Sequence, residues 1–388
     1  MNTAPPNELY APDVALMLDL SLDLPALRRV VTEHVAAAVA DPRIAGAERI
    51  LIGGSGDSLF AARSVIPAFR RWTGLPAEAK TAMELARYEA PLLGPRDLVI
   101  GVSNSGSSSR AREAILLAKD RGAATLGVTG SLTGPLAAQA DRVVHRPVND
   151  LPGLPAHYGR CFLNMAEYLA VLYALYAFAL ALGVKRGHID AATEATQLAA
   201  IEAAIERVPA VAAAIEPAII DLARQLADID TIWAIGAGPS GGTADYCAAK
   251  FHEQMPINGV ACDLEEWAHL EYFLTLEWGQ RSVVMVLAPP GNSFDRAQEL
   301  VTGIAGAGGR AIVVTESPDA AFPEAAARFD LGVQMNEWVS PILYHLPAQM
   351  LVLHMAQQAK VDHIPRRRKD GTWLIAQGIV RPTIGDLG

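Results

Sequence analysis

The chain has 388 residues, 51% of them hydrophobic and 19% charged, enough for two or more α/β units with buried cores. Its net charge of −10 argues against a nucleic-acid partner, which requires a basic face. Cys161, Cys247 and Cys262 are too few and too widely spaced for a disulfide framework or a zinc site, which fits a reducing, cytoplasmic compartment.

The start, Met1-Asn2-Thr3-Ala4-Pro5, carries no basic region ahead of an apolar run, so no signal peptide is expected. Residues up to Pro25 read as an arm, and Leu27 to Ala40 as an amphipathic helix closed by Asp41-Pro42. A short strand at 48–52 runs into Gly53-Gly54-Ser55-Gly56-Asp57-Ser58, and a helix follows over 59–72. Next comes the most telling stretch. Asp97 to Val102 is an apolar run of the buried parallel-strand kind. It stops at Ser103-Asn104-Ser105-Gly106-Ser107-Ser108-Ser109, and a helical pattern begins, with Ala111, Ile115 and Ala118 on one stripe.

Strand, hydroxyl-rich turn and helix start make a phosphate-binding geometry. The first N–H groups of a helix lack partners inside it, and the helix dipole favours an anion there. A single serine there would be only an N-cap, but five in seven positions around a glycine point to an anion. In a doubly wound sheet, this turn and the 53–58 turn face one crevice at the carboxyl ends of the strands.

Strands are expected at 124–128 and 142–145, and a proline-rich loop at 147–155. Residues 161–184 are apolar and long enough to span a membrane, but Asn164, Glu167 and the position between two α/β halves mark a central helix buried in a core or a dimer interface. Residues 190–227 read as a linker of alanine-rich helices. Then the first motif returns as Ile232-Trp233-Ala234-Ile235-Gly236-Ala237-Gly238, and further strands recur at 282–287 and 311–315. The second copy of the phosphate turn, Ala288-Pro289-Pro290-Gly291-Asn292-Ser293, lacks the serine cluster. The expected division is an N-terminal arm and helix over 1–46, a first domain with the phosphate loop over 47–190, and a second over 191–388 that ends in an active-site tail.

Tandem α/β halves with a Ser-x-Ser-Gly turn resemble the sugar isomerase (SIS) family. Within it, the likeness is to the isomerase part of glutamine–fructose-6-phosphate aminotransferases and to the amino-sugar-phosphate deaminase/isomerases. It covers about residues 45–375. Ser103, Asn104, Ser105 and Ser108 fall on the family's phosphate loop, and Gly54-Ser55 on its Gly-Thr turn at the sugar. Lys250-Phe251-His252-Glu253 is similar to a Lys-Leu-Lys-Glu helix, which places Glu253 on the catalytic glutamate. Sixteen residues later, His269 falls on the ring-opening histidine. The stretch from Glu337 through Pro341, Tyr344 and Pro347 to Leu351 matches the family's Glu-x-x-x-Ala-Pro-Ile run, and Val361 to Lys369 its lysine-bearing tail.

The resemblance implies two doubly wound, flavodoxin-like three-layer domains acting on a phosphorylated sugar or amino sugar. The reaction would be aldose–ketose isomerisation or deamination through an enediol or enolamine, with no metal or organic cofactor. Glu253 would shuttle the proton and His269 would open the ring. Lys369 would polarise the carbonyl or form a Schiff base, or else belong to a solvated run of charge after three arginines. Lys250 would touch substrate or pair with a carboxylate. Relatives supply the histidine across a subunit boundary, so a homodimer with shared sites is expected. The start at Met1-Asn2 offers no cysteine nucleophile, so no glutaminase activity is expected. A fructosamine-phosphate deglycase and a non-catalytic sugar-phosphate sensor remain the alternatives.

Overall fold

Continuous apolar strands are stable only with both faces covered, and that requirement shapes this chain. The computed structural model describes residues 13–150, 156–317 and 321–360. It opens with α1 (Val14–Ser21), α2 (Leu24–Val39) and α3 (Pro42–Ala45). Then come β1 (Arg49–Gly54), α4 (Asp57–Thr73), β2 (Ala77–Thr81), α5 (Ala82–Glu84), β3 (Asp97–Ser103), α6 (Ser109–Asp120), β4 (Ala124–Thr129), α7 (Pro135–Gln139) and β5 (Arg142–His145). Two long helices follow, α8 (Ala156–Lys185) and α9 (Ala191–Gln225). The last stretch runs through β6 (Thr231–Gly236), α10 (Pro239–Gln254), β7 (Asn258–Asp263), α11 (Leu264–Glu266), α12 (Tyr272–Trp278), β8 (Val283–Leu287), α13 (Phe294–Gly306), β9 (Arg310–Thr315), β10 (Ala327–Asp330), α14 (Pro341–Tyr344) and α15 (Leu346–Gln358).

The strands form two all-parallel five-stranded sheets, with orders β2-β1-β3-β4-β5 and β10-β9-β8-β6-β7. Read from its other edge, the second order repeats the first. Each sheet therefore reverses direction once, between β1 and β3 and between β6 and β8. The register sets Gly53 beside Gly101, so the turns after β1 and β3 leave the sheet side by side. That switch point is where open α/β sheets take ligands. Two doubly wound α/β halves are thus present, as expected.

The sheets belong to two compact units that interleave along the chain. One holds Leu22–Asn149 and Ala166–Ala203. The other is built mainly on the chain from Ala204 onward, with α1 and the start of α8. The core of the first gathers Leu51, Val99, Ile115 and Leu136 with Leu85 from the connection after α5. The core of the second gathers Trp233, Val284, Val286, Leu300 and Val313.

Several details depart from the sequence expectations. Within the stretch expected as an arm, α1 forms at Val14–Ser21, with the Asp13 carboxylate accepting from the Leu16 N–H at 2.9 Å, and residues 1–12 lie outside the described residues. α2 starts at Leu24, with Asp23 as its N-cap and Pro25 in the first turn, where a missing N–H costs nothing. The segment expected as a linker of several helices is the single helix α9, which continues through Pro209 and Pro217. In α8, 83% of the membrane-length apolar window is buried inside the protein, so this is a core helix. All three cysteines are free thiols, as expected.

Candidate functional site

The serine loop leaves β3, a strand buried along its whole length, and enters α6. Gly106 adopts φ 66°, and a Cβ there would press against Thr129 Oγ1 at 3.1 Å and Gly134 Cα at 3.3 Å. Only glycine fits that turn. The loop is pinned to the next connection: Gly130 N–H donates to Asn104 O at 3.0 Å, and Leu136 N–H to Gly106 O at 2.9 Å. Ser105 is exposed, and its hydroxyl shares a 2.7 Å hydrogen bond with Ser107. The Ser108 N–H donates to Ser103 Oγ at 3.4 Å, and no side chain caps α6. Hydroxyls and an uncapped helix start thus share one turn, as an anion site requires.

Asn104 has a partner that sequence reasoning missed. Its Nδ2 donates to Glu167 Oε2 at 2.7 Å, and its Oδ1 accepts from Nη2 of Arg146. Arg146 is fully buried, and burial pulls its pKa down to about 10, against the opposing pull of Glu167. It remains a cation at neutral pH and lies directly behind the serine loop. Its Nη1 reaches the Glu167 carbonyl at 3.4 Å. Glu167 itself carried the signal. An acid inside an apolar helix needs a partner, because an unpaired buried charge is costly. Beyond the loop, Arg87 and Arg110 converge on the buried carboxylate of Glu113, Arg87 at 2.5 Å. At the other turn of this crevice, Gly54 has no room for a Cβ, which would stand 2.9 Å from Ser58 Cβ, and Ser55 is exposed.

In the other unit, α10 carries Lys250 and Glu253 one helical turn apart. Lys250 is fully buried, its ammonium 4.4 Å from the centre of the Tyr246 ring and 2.8 Å from Glu253 Oε2. The side chain of Glu253 is 42% exposed. One of its oxygens is therefore anchored to a buried cation on the same helix while the group still meets solvent. That suits a carboxylate that must be held still and exchange a proton. Lys250 thus makes the carboxylate pair that was one of its two sequence readings.

His269 sits in a π-helical turn, Trp267–Glu271, and its Nε2 lies 3.1 Å from Glu265 Oε1. It is 68% exposed. The first half has the same irregularity at Leu85–Glu89. Glu84-Leu85-Ala86-Arg87-Tyr88-Glu89 aligns with Glu266-Trp267-Ala268-His269-Leu270-Glu271, so Arg87 holds the place of His269. Single π-turns recur at functional sites. The structure pairs Glu253 and His269 each with a residue of its own helical segment. Lys369 lies outside the described residues.

Residues 43–180 match the SIS domain family. Glutamine–fructose-6-phosphate aminotransferase of Bradyrhizobium diazoefficiens is 28% identical over 320 residues, which is 81% of this chain and 50% of that protein. The same-named protein of Caulobacter vibrioides is 26% identical over 83% of this chain. The chain spans about half the length of these curated relatives. Among solved structures, the C-terminal domain of glucosamine-fructose-6-phosphate aminotransferase from Francisella tularensis superposes with a TM-score of 0.73 at 16% identity, covering 91% of this chain and 98% of that one. Glucosamine-6-phosphate deaminase from Thermotoga maritima gives 0.63 at 16% identity, covering 91% and 98%. Tagatose-6-phosphate ketose/aldose isomerase from Escherichia coli gives 0.64 at 16%, covering 89% and 90%. These likenesses agree with the repeated sheet order, and residues 43–180 of this chain are a SIS domain.

Proposed function

We propose that this chain is a sugar-phosphate enzyme, an aldose–ketose isomerase or an amino-sugar-phosphate deaminase/isomerase. The observation that carries the reading is the serine loop at the switch point, with exposed hydroxyls in front and the buried Arg146 cation behind. Phosphate is the ligand that such a turn holds most firmly. Ser103, Asn104, Ser105 and Ser108 position it, with Gly54 and Ser55 at the sugar. Glu253 moves the proton between neighbouring carbons, and His269 exchanges protons with the anomeric hydroxyl and ring oxygen. Lys369 enters through the family resemblance alone. The names of the relatives support an amino-sugar or ketose phosphate as substrate.

A panel of hexose and hexosamine 6-phosphates tests this by thermal shift, with products read by mass spectrometry. Phosphorylated sugars at 100 times Kd should stabilise the fold by about 2.7 kcal/mol, and their unphosphorylated forms should not. Ammonia in the product identifies a deaminase. Release of a larger amine identifies a deglycase, and binding without turnover a sensor. A panel in which no phosphate ester stabilises the protein would sink the proposal.

His269 is flanked by exposed Leu270, Phe273 and Leu276, at 67%, 58% and 58%. Apolar side chains clustered so openly mark an interaction surface. We read it as the contact with a second copy, which would receive His269 at its own site. The double variant Leu270→Glu/Phe273→Glu should sediment as a monomer and lose turnover. A fully active monomer would exclude the shared arrangement.

A further inference from the structure

The switch-point crevice of the second sheet repeats the backbone of the first but not its chemistry. Gly56 and Gly238 precede α4 and α10 with nearly the same dihedrals, φ 56°, ψ −134° and φ 56°, ψ −126°. Gly54 and Gly236 are equally cramped: a Cβ would stand 2.9 Å from Ser58 Cβ in one and 2.8 Å from Ser240 Cβ in the other. Where the first half has Ser55 and the serine loop, the second has Ala237 and the turn 288–293.

A carboxylate stands in this second crevice. Glu337, 8% exposed, accepts through Oε2 from the Asn292 backbone N–H at 3.2 Å and from Asn292 Nδ2 at 3.1 Å. A Cβ on Gly291 would collide with that same oxygen, and one on Gly238 would lie 4.0 Å from Oε1. Glu337 thus sits against both turns that flank the switch point, after β6 and after β8. It arrives from the far end of the chain, on the segment between β10 and α14.

We propose that this crevice is an anion site whose ligand is the chain's own Glu337 carboxylate, standing where a free phosphate or carboxylate would bind. A tethered group outcompetes free anions through its high effective concentration. Only the first half is then open to a phosphorylated ligand, a corollary that rests on the serine-loop reading, whereas the occupied site itself does not.

The test compares wild type with Glu337→Gly by thermal shift in formate, acetate and orthophosphate, and by calorimetric titration with orthophosphate. Glu337→Gly should melt lower than wild type, recover with added anion, and bind one more phosphate per chain. The isosteric Glu337→Gln fills the crevice without charge and should gain neither rescue nor phosphate. Adding Asn292→Leu to Glu337→Gly should abolish the gain. Adding Ser105→Ala and Ser108→Ala should leave the gain intact while removing the phosphate that wild type binds. The first-half reading therefore fails independently, when wild type binds no phosphate at all. Folding of Glu337→Gly only with anion present counts as rescue. Equal behaviour of the glycine and glutamine variants, or failure to fold under every anion, overturns the proposal.

Discussion

Replacing Glu253 by glutamine is expected to lower turnover of the phosphorylated sugar roughly 10²–10⁴-fold, the usual contribution of a positioned acid–base group. Binding should persist, because the proposed phosphate contacts lie on the serine loop. The fold should persist too. Glu253 is 42% exposed, and an amide oxygen can still accept from the Lys250 ammonium now 2.8 Å from the carboxylate. The expected signature is a collapse of kcat with little change in KM, since the lost interaction belongs to the transition state. Isotope exchange at the carbon next to the carbonyl should vanish in parallel. Wild-type kcat in this variant would remove Glu253 from the mechanism.

Arg146→Met should produce the largest loss of stability. The arginine is fully buried and bonds Asn104 and the Glu167 carbonyl, while the Glu167 carboxylate holds the other end of the Asn104 amide. Removing the cation strands that carboxylate in a part-buried place. Removing a buried cation and leaving its coulombic partner uncompensated costs about 3 kcal/mol or more, or about 10 °C in melting temperature for a unit of this size. Asn104 would lose its fixed orientation, and affinity for phosphate esters should fall with it. The double variant Arg146→Met/Glu167→Gln separates the two effects. With both charges gone, most of the stability should return, but the binding defect should stay. Normal phosphate-ester affinity in the double variant would show that the cation behind the loop plays no part in recognition.

How much of this was legible in the sequence follows from burial. β3, β4 and β8 are buried at every position, so they read as plain apolar runs, and their turns could be placed from them. β2, β7 and β10 lie at or next to the open side of a sheet and carry half-exposed polar residues such as Glu78, Lys80 and Arg328. Their pattern resembles a loop, and they were missed. The serine loop was legible because its composition is extreme. Arg146 was not, since one arginine after an edge strand looks solvated until Glu167 and Asn104 are seen around it. The π-turns were invisible as well, although the parallel runs Glu-Leu-Ala-Arg and Glu-Trp-Ala-His were there to be aligned. Glu337 was singled out only within a longer match. Its place in the second crevice needed the fold, because the two loops that it touches are 45 and more residues away.

The interleaving of the two units has a consequence for biogenesis. As the polypeptide is synthesised, the first sheet has all its strands by His145, but among the described residues its unit also needs the chain from Ala166 through Ala203. α1 waits longer, since its unit is built mainly from sequence synthesised after Ala204. Val14 and Leu18, which are buried in the folded chain, therefore stay uncovered until the sequence beyond Ala204 has been made, and such transiently exposed apolar surface is prone to misassociate.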